Sequence, residues 1–179
     1  PLGQGFAMAV GMAQAETFLR AKLGKDVVDH HTYVLASDGD MQEPVVMGAA
    51  SLACLWGLGK LIAYYDSNKV QLAGPVSRVD KADYAKIFAA MGWHVQEVDG
   101  HDRDQIRAAI KKAQAQKKKP SLIIGHTVMA KGSANREGDF GTHGEPLPAE
   151  EIAATKKNMC LAEGACFQVP EEARKHFQA

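Results

Sequence analysis

The chain has 179 residues, of which 46% are hydrophobic and 23% are charged. These values are typical of one soluble globular domain with a substantial core. Lysine plus arginine and aspartate plus glutamate each total 21, so the formal net charge is zero. This balance indicates neither nucleic acid nor an anionic membrane as a partner, and no apolar run is long enough to predict a membrane span.

The cysteines are Cys54, Cys160 and Cys166, an odd number without CxxC spacing. This pattern predicts neither a disulfide framework nor a zinc site. Free thiols are typical of reducing compartments, so we expect a cytoplasmic protein.

The first predicted element is a helix over Phe6 to Arg20, which follows a glycine-rich turn at Pro1 to Gly5. We expect Gly11 to allow close approach of a neighbouring backbone, because glycine costs about 1 kcal/mol within a helix relative to alanine. Three apolar residues of this helix are expected to face a core: Val10, Ala13 and Phe18.

A strand, a helix and a second strand are predicted next, over Tyr33 to Ala36, Pro44 to Leu58 and Leu61 to Tyr65. A unit of this length makes a right-handed crossover between parallel strands. The carboxyl ends of both strands therefore meet at one edge of the sheet, where open α/β sheets bind their ligands.

Oxygen donors follow both strands: the carboxylate of Asp38, the amide of Asn68 and the backbone carbonyl of Val70. Such donors suit Mg²⁺, with Ca²⁺ as the alternative, and so few protein ligands imply a phosphorylated partner that completes the coordination. Gly39 has no side chain to hinder a diphosphate. The helix that begins near Pro44 adds a partial positive charge on the same side.

Two further acids lie between these donors and the helix. Glu43 precedes the first helical turn, where a carboxylate is favoured by the helix dipole. Asp40 is expected to be a solvent-facing loop acid.

The remaining strands and helices alternate along the chain. The pattern predicts helices over Asp80 to Met91 and after Asp102, and strands over Trp93 to Val98 and Ser121 to Val128. It predicts a doubly wound α/β domain with a mostly parallel sheet of at least four strands and helices on both faces.

The segment Lys131 to Pro148 is too long for a simple connection and is typical of a loop that covers a site. It carries His143, which is either structural or a proton-transfer group. Lys117 to Lys119 are interpreted as a solvated helix end rather than a phosphate patch. Two short helices are expected to begin near Pro148 and Pro170.

Several sequence motifs resemble those of transketolase and occur in the same order along the chain. Asp38-Gly39 followed about thirty residues later by Asn68 resembles the motif that binds thiamine diphosphate and Mg²⁺. The other motifs are PLGQGFAMAVGMAQAE at 1–16, GLGKLIAYYDSN at 57–68, DGHD at 99–102 and THGEPL at 142–147. The resemblance covers nearly the whole chain.

The resemblance implies the thiamine diphosphate-binding fold, with residues 1–179 forming one diphosphate-binding domain that lacks its N-terminal part. It implies transfer of a two-carbon ketol unit between sugar phosphates, a reaction of the pentose phosphate pathway. A pyrimidine-binding domain is then required from missing sequence or from another chain, in a homodimer or a heteromer.

The resemblance also implies roles for individual residues. It assigns Mg²⁺ to Asp38, Asn68 and the carbonyl of Val70. It assigns cofactor contacts to Leu2, Gly39, Glu43, Asn68 and His143, and a catalytic contact with the substrate to His143.

Some residues depart from the transketolase pattern. Ser37 replaces the usual glycine, and the segments 40–44 and 74–76 are closer to the decarboxylating component of pyruvate dehydrogenase. The alternatives are therefore a 2-oxo acid dehydrogenase component and a synthase that uses pyruvate and glyceraldehyde phosphate. A further alternative, consistent with the short chain, is a non-catalytic cofactor-binding or regulatory subunit.

Overall fold

A computed structural model describes residues 1–72, 74–162 and 164–178. Contacts between residues divide the chain into two compact units, Pro1–Val128 and Met129–Ala179. The sheet and the predicted strand tips belong to the first unit, whereas His143 belongs to the second.

The first unit alternates strands and helices. Its first half contains α1 (Gln4–Leu23), β1 (Thr32–Ser37), α2 (Asp38–Met41), α3 (Pro44–Leu55) and β2 (Leu61–Ser67). Its second half contains β3 (Val70–Gln71), β4 (Gly74–Pro75), a 3₁₀ turn (Val76–Arg78), α4 (Tyr84–Met91), β5 (His94–Asp99), α5 (Arg103–Ala115) and β6 (Ser121–His126).

Four of these strands form one parallel sheet in the order β1-β2-β6-β5. Thr32 lies opposite Leu61, and Ser121 lies opposite both Ile62 and His94. All four carboxyl ends therefore lie along the same edge. β3 and β4 form a separate antiparallel pair beyond that edge.

Helices cover both faces of the sheet, as the alternation of elements predicted. Ala63 and Tyr65 of β2 face the core that contains residues of α1, α3 and α4, whereas Ile62 and Tyr64 face α5. Successive residues of a strand point to opposite faces, so one buried strand joins two apolar layers. The doubly wound α/β fold is confirmed.

The outward face of β1 is only partly covered by the described residues: the hydroxyl of Tyr33 accepts a hydrogen bond from Gln114 of α5. Leu35 is 81% exposed and Tyr33 is 53% exposed. β1 is an edge strand, and α5 contacts β2, β5 and β6 on this side of the sheet. An apolar strip of a parallel strand is therefore left at the surface.

Two expectations for the first helix were wrong. Phe18 is 62% exposed, whereas Val10 and Ala13 are buried as expected. At 100° per residue, Phe18 points about 140° away from Ala13 and therefore leaves the core face. An added Cβ at Gly11 would meet nothing within 4 Å, so this glycine allows no close backbone approach.

The second unit consists of turns and short helices. A 3₁₀ turn at Phe140–Thr142 lies in the long loop, followed by α6 (Ala149–Asn158) and α7 (Glu171–Gln178). Both helices begin directly after the two prolines that predicted them. Across the described residues of both units, every helix is too short or too polar to cross a bilayer.

A buried carboxylate ties the long loop to α6. Glu151 accepts hydrogen bonds from the hydroxyl of Ser133 at 2.6 Å and from the backbone and side-chain amides of Asn135 at 2.8 and 2.9 Å. The Ser133 hydroxyl and then the Asn135 donors lower the pKa of Glu151 to about 2. Ionised Glu151 therefore stabilises the start of the loop.

We expect Glu151→Gln to lower the thermal stability of the chain at neutral pH, because the neutral amide accepts these bonds less strongly. A lowered folded-state pKa contributes stability above the ordinary value of about 4.5, and this stability is lost as the pH falls towards 2. The difference in melting temperature between the wild type and Glu151→Gln should therefore shrink between pH 6 and pH 2.5.

Glu150→Gln is the matched control, since Glu150 occupies the same first turn of α6. An equal loss of stability in this control would show that helix-dipole charge, rather than the Glu151 hydrogen bonds, stabilises the unit.

Candidate functional site

Asp38 lies where β1 ends and α2 begins, and it is 2% exposed. Its Oδ1 accepts a hydrogen bond from the hydroxyl of Tyr65 at 2.7 Å. Its Oδ2 accepts the backbone N–H groups of Asn68 at 3.1 Å and Lys69 at 3.0 Å. One carboxylate therefore holds the tips of two neighbouring strands together.

Asn68 follows the end of β2, as the sequence predicted. Its side-chain Oδ1 accepts the backbone N–H of Val70 at 2.9 Å, which sets the orientation of the amide. Between these two residues, Lys69 has φ 64, a left-handed conformation that is uncommon for a residue other than glycine. This sharp turn directs two consecutive N–H groups onto Asp38.

Tyr65 is a site residue that the sequence did not reveal. Burial raises the pKa of its phenol, and donation to Asp38 raises the pKa further. The ring packs edge to face on Tyr84, with centroids 5.9 Å apart. Tyr65 therefore remains a neutral donor that orients the Asp38 carboxylate, and only the register of β2 beside β1 places it there.

Asp40 was wrongly expected to face solvent. It accepts hydrogen bonds from the backbone N–H of Gly3 at 2.7 Å and from the N–H and hydroxyl of Ser37 at 2.8 and 2.7 Å. Burial raises the pKa of Asp40, but these donors outweigh burial and hold the pKa below its ordinary value. The Ser37-x-x-Asp40 spacing is that of a capping box and could have predicted the bonds to Ser37, but not the bond to Gly3.

Asp40 thereby joins the N-terminal turn to the tip of β1, and this contact brings Leu2 to Gly39. A Cβ added at Gly39 would lie 3.1 Å from Cδ1 of Leu2. A Cβ added at Gly3, which has φ +75, would lie 2.8 Å from Val45. The turn at Gly3 therefore packs against the start of α3 and depends on the absence of a side chain.

Glu43 occupies the N-cap position of α3 but makes no side-chain capping hydrogen bond, and Pro44 occupies the first turn. Cβ of Glu43 would lie 3.0 Å from a Cβ at Gly3. Glu43, a half-buried residue, is therefore beside the turn that carries Leu2.

Val70 begins β3 and pairs with Pro75 of β4. Gln42 connects this hairpin to α2, since its Nε2 donates to the carbonyl of Asp38 at 3.2 Å and to Oε1 of Gln71 at 2.7 Å. The metal donors predicted at residues 38, 68 and 70 therefore occupy one connected set of turns.

His143 lies in the second unit, directly after the 3₁₀ turn. Its Nδ1 is shielded from solvent and has no hydrogen-bond partner among the residues that the structure describes. A buried polar nitrogen without a partner is costly in a protein, so this atom is available to a ligand.

The oxygen donors at the strand tips fit a hard divalent cation. A carboxylate has about four acceptor positions, and Asp38 uses three of them for Tyr65, Asn68 and Lys69. The amide oxygen of Asn68 has two, of which Val70 uses one. Clusters of three or more His, Cys, Asp or Glu side chains with metal-binding geometry are absent from the described residues, so a metal here needs amide, carbonyl and non-protein ligands.

Comparison with protein families and curated proteins gives consistent results. A family model described as transketolase, thiamine diphosphate binding domain, matches residues 1–179. The chain is 47% identical to transketolase 2 of Vibrio parahaemolyticus, covering 100% of this chain and 27% of that protein. It is 45% identical to transketolase of Bacillus subtilis, covering 99% and 27%.

Solved structures agree with these relatives. Transketolase from Campylobacter jejuni superposes with a TM-score of 0.95 at 38% identity, covering 99% of this chain and 28% of that one. Transketolase from Leishmania mexicana superposes with a TM-score of 0.94 at 38% identity, covering 99% and 27%. The chain thus spans about a quarter of the length of these relatives.

Proposed function

Because the chain belongs to the transketolase family through its thiamine diphosphate-binding domain, we propose that it binds Mg²⁺ and thiamine diphosphate for two-carbon ketol transfer between sugar phosphates. The observation that carries this proposal is the Asp38 carboxylate, which joins two strand tips and retains acceptor capacity. When bound, thiamine diphosphate supplies the electron sink for the transfer.

In this proposal, Asp38, Asn68 and the carbonyl of Val70 hold the cation. The hydrogen bonds from Tyr65 to Asp38 and from Val70 to Asn68 support these roles, because they orient both ligands before metal binding. The preformed orientation reduces the cost of ordering the site.

Leu2, Gly39 and Glu43 contact the cofactor in this proposal. The contact between Leu2 and Gly39 supports a shared role, because it places the two residues side by side at the tip of β1. Such backbone N–H groups at the start of a helix favour phosphate oxygens.

We assign to His143 a contact with the cofactor diphosphate and with the substrate. The shielded, unpartnered Nδ1 supports a ligand contact, and histidine is the side chain best suited to proton transfer near neutral pH. Its role is to donate or accept a proton at a substrate oxygen.

A pyrimidine-binding domain must come from further sequence or from a second subunit, in a homodimer or a heteromer. The coverage of only 27% of the relatives supports this requirement. So do large exposed apolar side chains on α3, where Leu55 is 76% exposed, since such surfaces mark interaction sites. Sugar phosphates as substrates, the pentose phosphate pathway and a cytoplasmic location belong to the same proposal, the last supported by three free cysteines.

The rival functions differ in the reaction that the chain would support with a pyrimidine-binding partner. The transketolase relatives at 45–47% identity favour ketol transfer over decarboxylation by a 2-oxo acid dehydrogenase component. A non-catalytic subunit would bind the cofactor but would give no turnover with any pyrimidine-binding partner. Mixing the chain with such a domain and assaying ketol transfer distinguishes the transketolase function from the non-catalytic one.

The cofactor site is tested by calorimetric titration of the chain with thiamine diphosphate, with and without Mg²⁺. We expect binding that requires Mg²⁺, and Asn68→Ala should weaken it by about tenfold or more. Gln14→Ala, which removes an amide from α1, is the control and should bind normally. Equal affinity in the presence of Mg²⁺ for the wild type and Asn68→Ala would exclude Asn68 as a ligand.

A further inference from the structure

A cavity of about 450 Å³ lies at the edge of the sheet opposite to the proposed cofactor site. Its walls come from the C-terminal half of α1, the turn at residues 57–60 and the segment after α5. Lys60 directly precedes β2, whereas Asn68 follows it. A strand of this length separates the two edges by about 20 Å.

Four cations line this cavity: Arg20, Lys25, Lys60 and Lys117. Glu16 is the acid among its described lining residues, and Asp29 lies close enough to pair with Arg20 and Lys60. Four positive charges therefore face two negative charges in a chain whose formal net charge is zero. A concave surface with an excess of one sign raises the local concentration of the opposite ion.

A buried glutamate positions one of these cations. Glu16 is 3% exposed, and its Oε1 accepts a hydrogen bond from Nζ of Lys60 at 2.7 Å. Asp29 contacts the same Nζ. Burial lowers the pKa of Lys60, but Asp29 and Glu16 outweigh burial and raise it overall, so Lys60 stays charged near neutral pH.

Close backbone packing positions a second cation. A Cβ added at Gly59 would lie 2.4 Å from the carbonyl of Lys117, so the two backbone segments touch. This contact brings Lys117, the first of the three consecutive lysines, to the rim of the cavity. All three lysines are exposed, as expected of a solvated segment, and Lys117 also lines the cavity.

We propose that this amino-edge cavity, defined by Glu16, Arg20, Lys25, Lys60 and Lys117, binds a small phosphate monoester. Lys25, Lys117 and Arg20 contact the phosphate oxygens. Lys60, which is hydrogen-bonded to Glu16, adds to the positive electrostatic potential of the cavity. Ala13, Ala21 and Leu58 provide apolar walls for the carbon skeleton. The volume is within the range of small-molecule sites.

This site is independent of the proposed cofactor site, although α1 connects them physically. The backbone N–H of Gly3, just before α1, donates a hydrogen bond to Asp40 at the tip of β1, and the other end of α1 lines the cavity. The two sites share no residue, so each can fail without the other.

The probe is glycerol 2-phosphate, titrated into the isotopically labelled chain while backbone amide signals are followed by NMR. Glycerol and potassium chloride of matched ionic strength serve as ligand controls. We expect saturable shifts at Gly57, Gly59 and Lys60 with the phosphate ester alone.

The double variant Lys25→Gln/Lys117→Gln should raise the dissociation constant by about tenfold, at roughly threefold for each lost charge. The control double variant Lys81→Gln/Lys157→Gln removes two exposed lysines elsewhere. It should change the dissociation constant for glycerol 2-phosphate by less than about twofold. Magnesium-dependent binding of thiamine diphosphate should be unaffected in both double variants. Absence of saturation, shifts that potassium chloride reproduces, or equal weakening in both double variants would overturn the proposal.

Discussion

Asp38→Ala is expected to abolish Mg²⁺-dependent binding of thiamine diphosphate and to lower the free energy of unfolding by at least about 3 kcal/mol. The variant leaves the Tyr65 hydroxyl and the N–H groups of Asn68 and Lys69 without their acceptor in a buried site. Both the metal ligand and the junction between strand tips are lost together.

Urea unfolding measures the loss of stability. Titration calorimetry measures cofactor binding at a temperature at which the variant is still folded. Asp38→Asn separates the two effects, because the amide retains one acceptor oxygen and the side-chain volume but loses the charge that attracts the cation. Asp26→Ala, at an exposed loop acid, should change stability by less than about 0.5 kcal/mol. Normal Mg²⁺-dependent binding by a folded Asp38→Asn protein would remove Asp38 from the metal site.

Gly59→Ala is expected to destabilise the chain by about 2 to 3 kcal/mol. The added Cβ would lie 2.4 Å from the backbone carbonyl carbon and oxygen of Lys117, and backbone atoms cannot rotate away as a side chain does. For a chain of this size, the loss corresponds to a melting temperature lower by roughly 5 to 10 °C.

The same substitution at Gly48 is the matched control. Gly48 lies within α3, is exposed, and a Cβ there would meet nothing within 4 Å. Alanine should therefore stabilise this helix by about 0.5 to 1 kcal/mol. We expect differential scanning calorimetry to show a loss of stability for Gly59→Ala and a gain for Gly48→Ala. A loss of less than about 0.5 kcal/mol for Gly59→Ala would contradict the steric argument.

The positions of the strand-tip donors were predictable from the sequence because they follow local signals. A short apolar run that ends in Asp38-Gly39, and another that ends before Asn68, place both residues at carboxyl ends of strands. The right-handed crossover rule then brings the two ends to one edge without further information. The same local signals predicted α6 and α7 after their prolines.

The hydrogen-bond partners of these strand-tip residues were not predictable in this way. Tyr65 reads as an apolar strand residue, and its hydrogen bond to Asp38 depends on the pairing of Ala36 with Tyr65 across two strands. Asp40 reads as a loop acid, and its bond to Gly3 spans 37 residues. Contacts between distant segments leave no local pattern, whereas the contact between Ser37 and Asp40 is local and follows a known spacing.

Phe18 and Leu35 show the same limit for burial. Phe18 was expected to face the core, yet it points away from the core face of α1. Leu35 belongs to the apolar run that predicted β1, yet it lies on the open face of an edge strand. Composition determines that an apolar side chain favours burial, whereas the neighbouring elements determine whether anything covers it.

The sequence by itself determined the order of strands and helices, the parallel crossover and the polar residues at the strand tips, because periodicity and turn residues act over a few positions. The tertiary structure alone decided that one carboxylate holds two tips together, that Asp40 anchors the N-terminal turn, and that Lys117 joins a basic cavity at the far edge. These features depend on strand register and backbone contact between segments that are distant in the chain, and the packing of the whole sheet sets both.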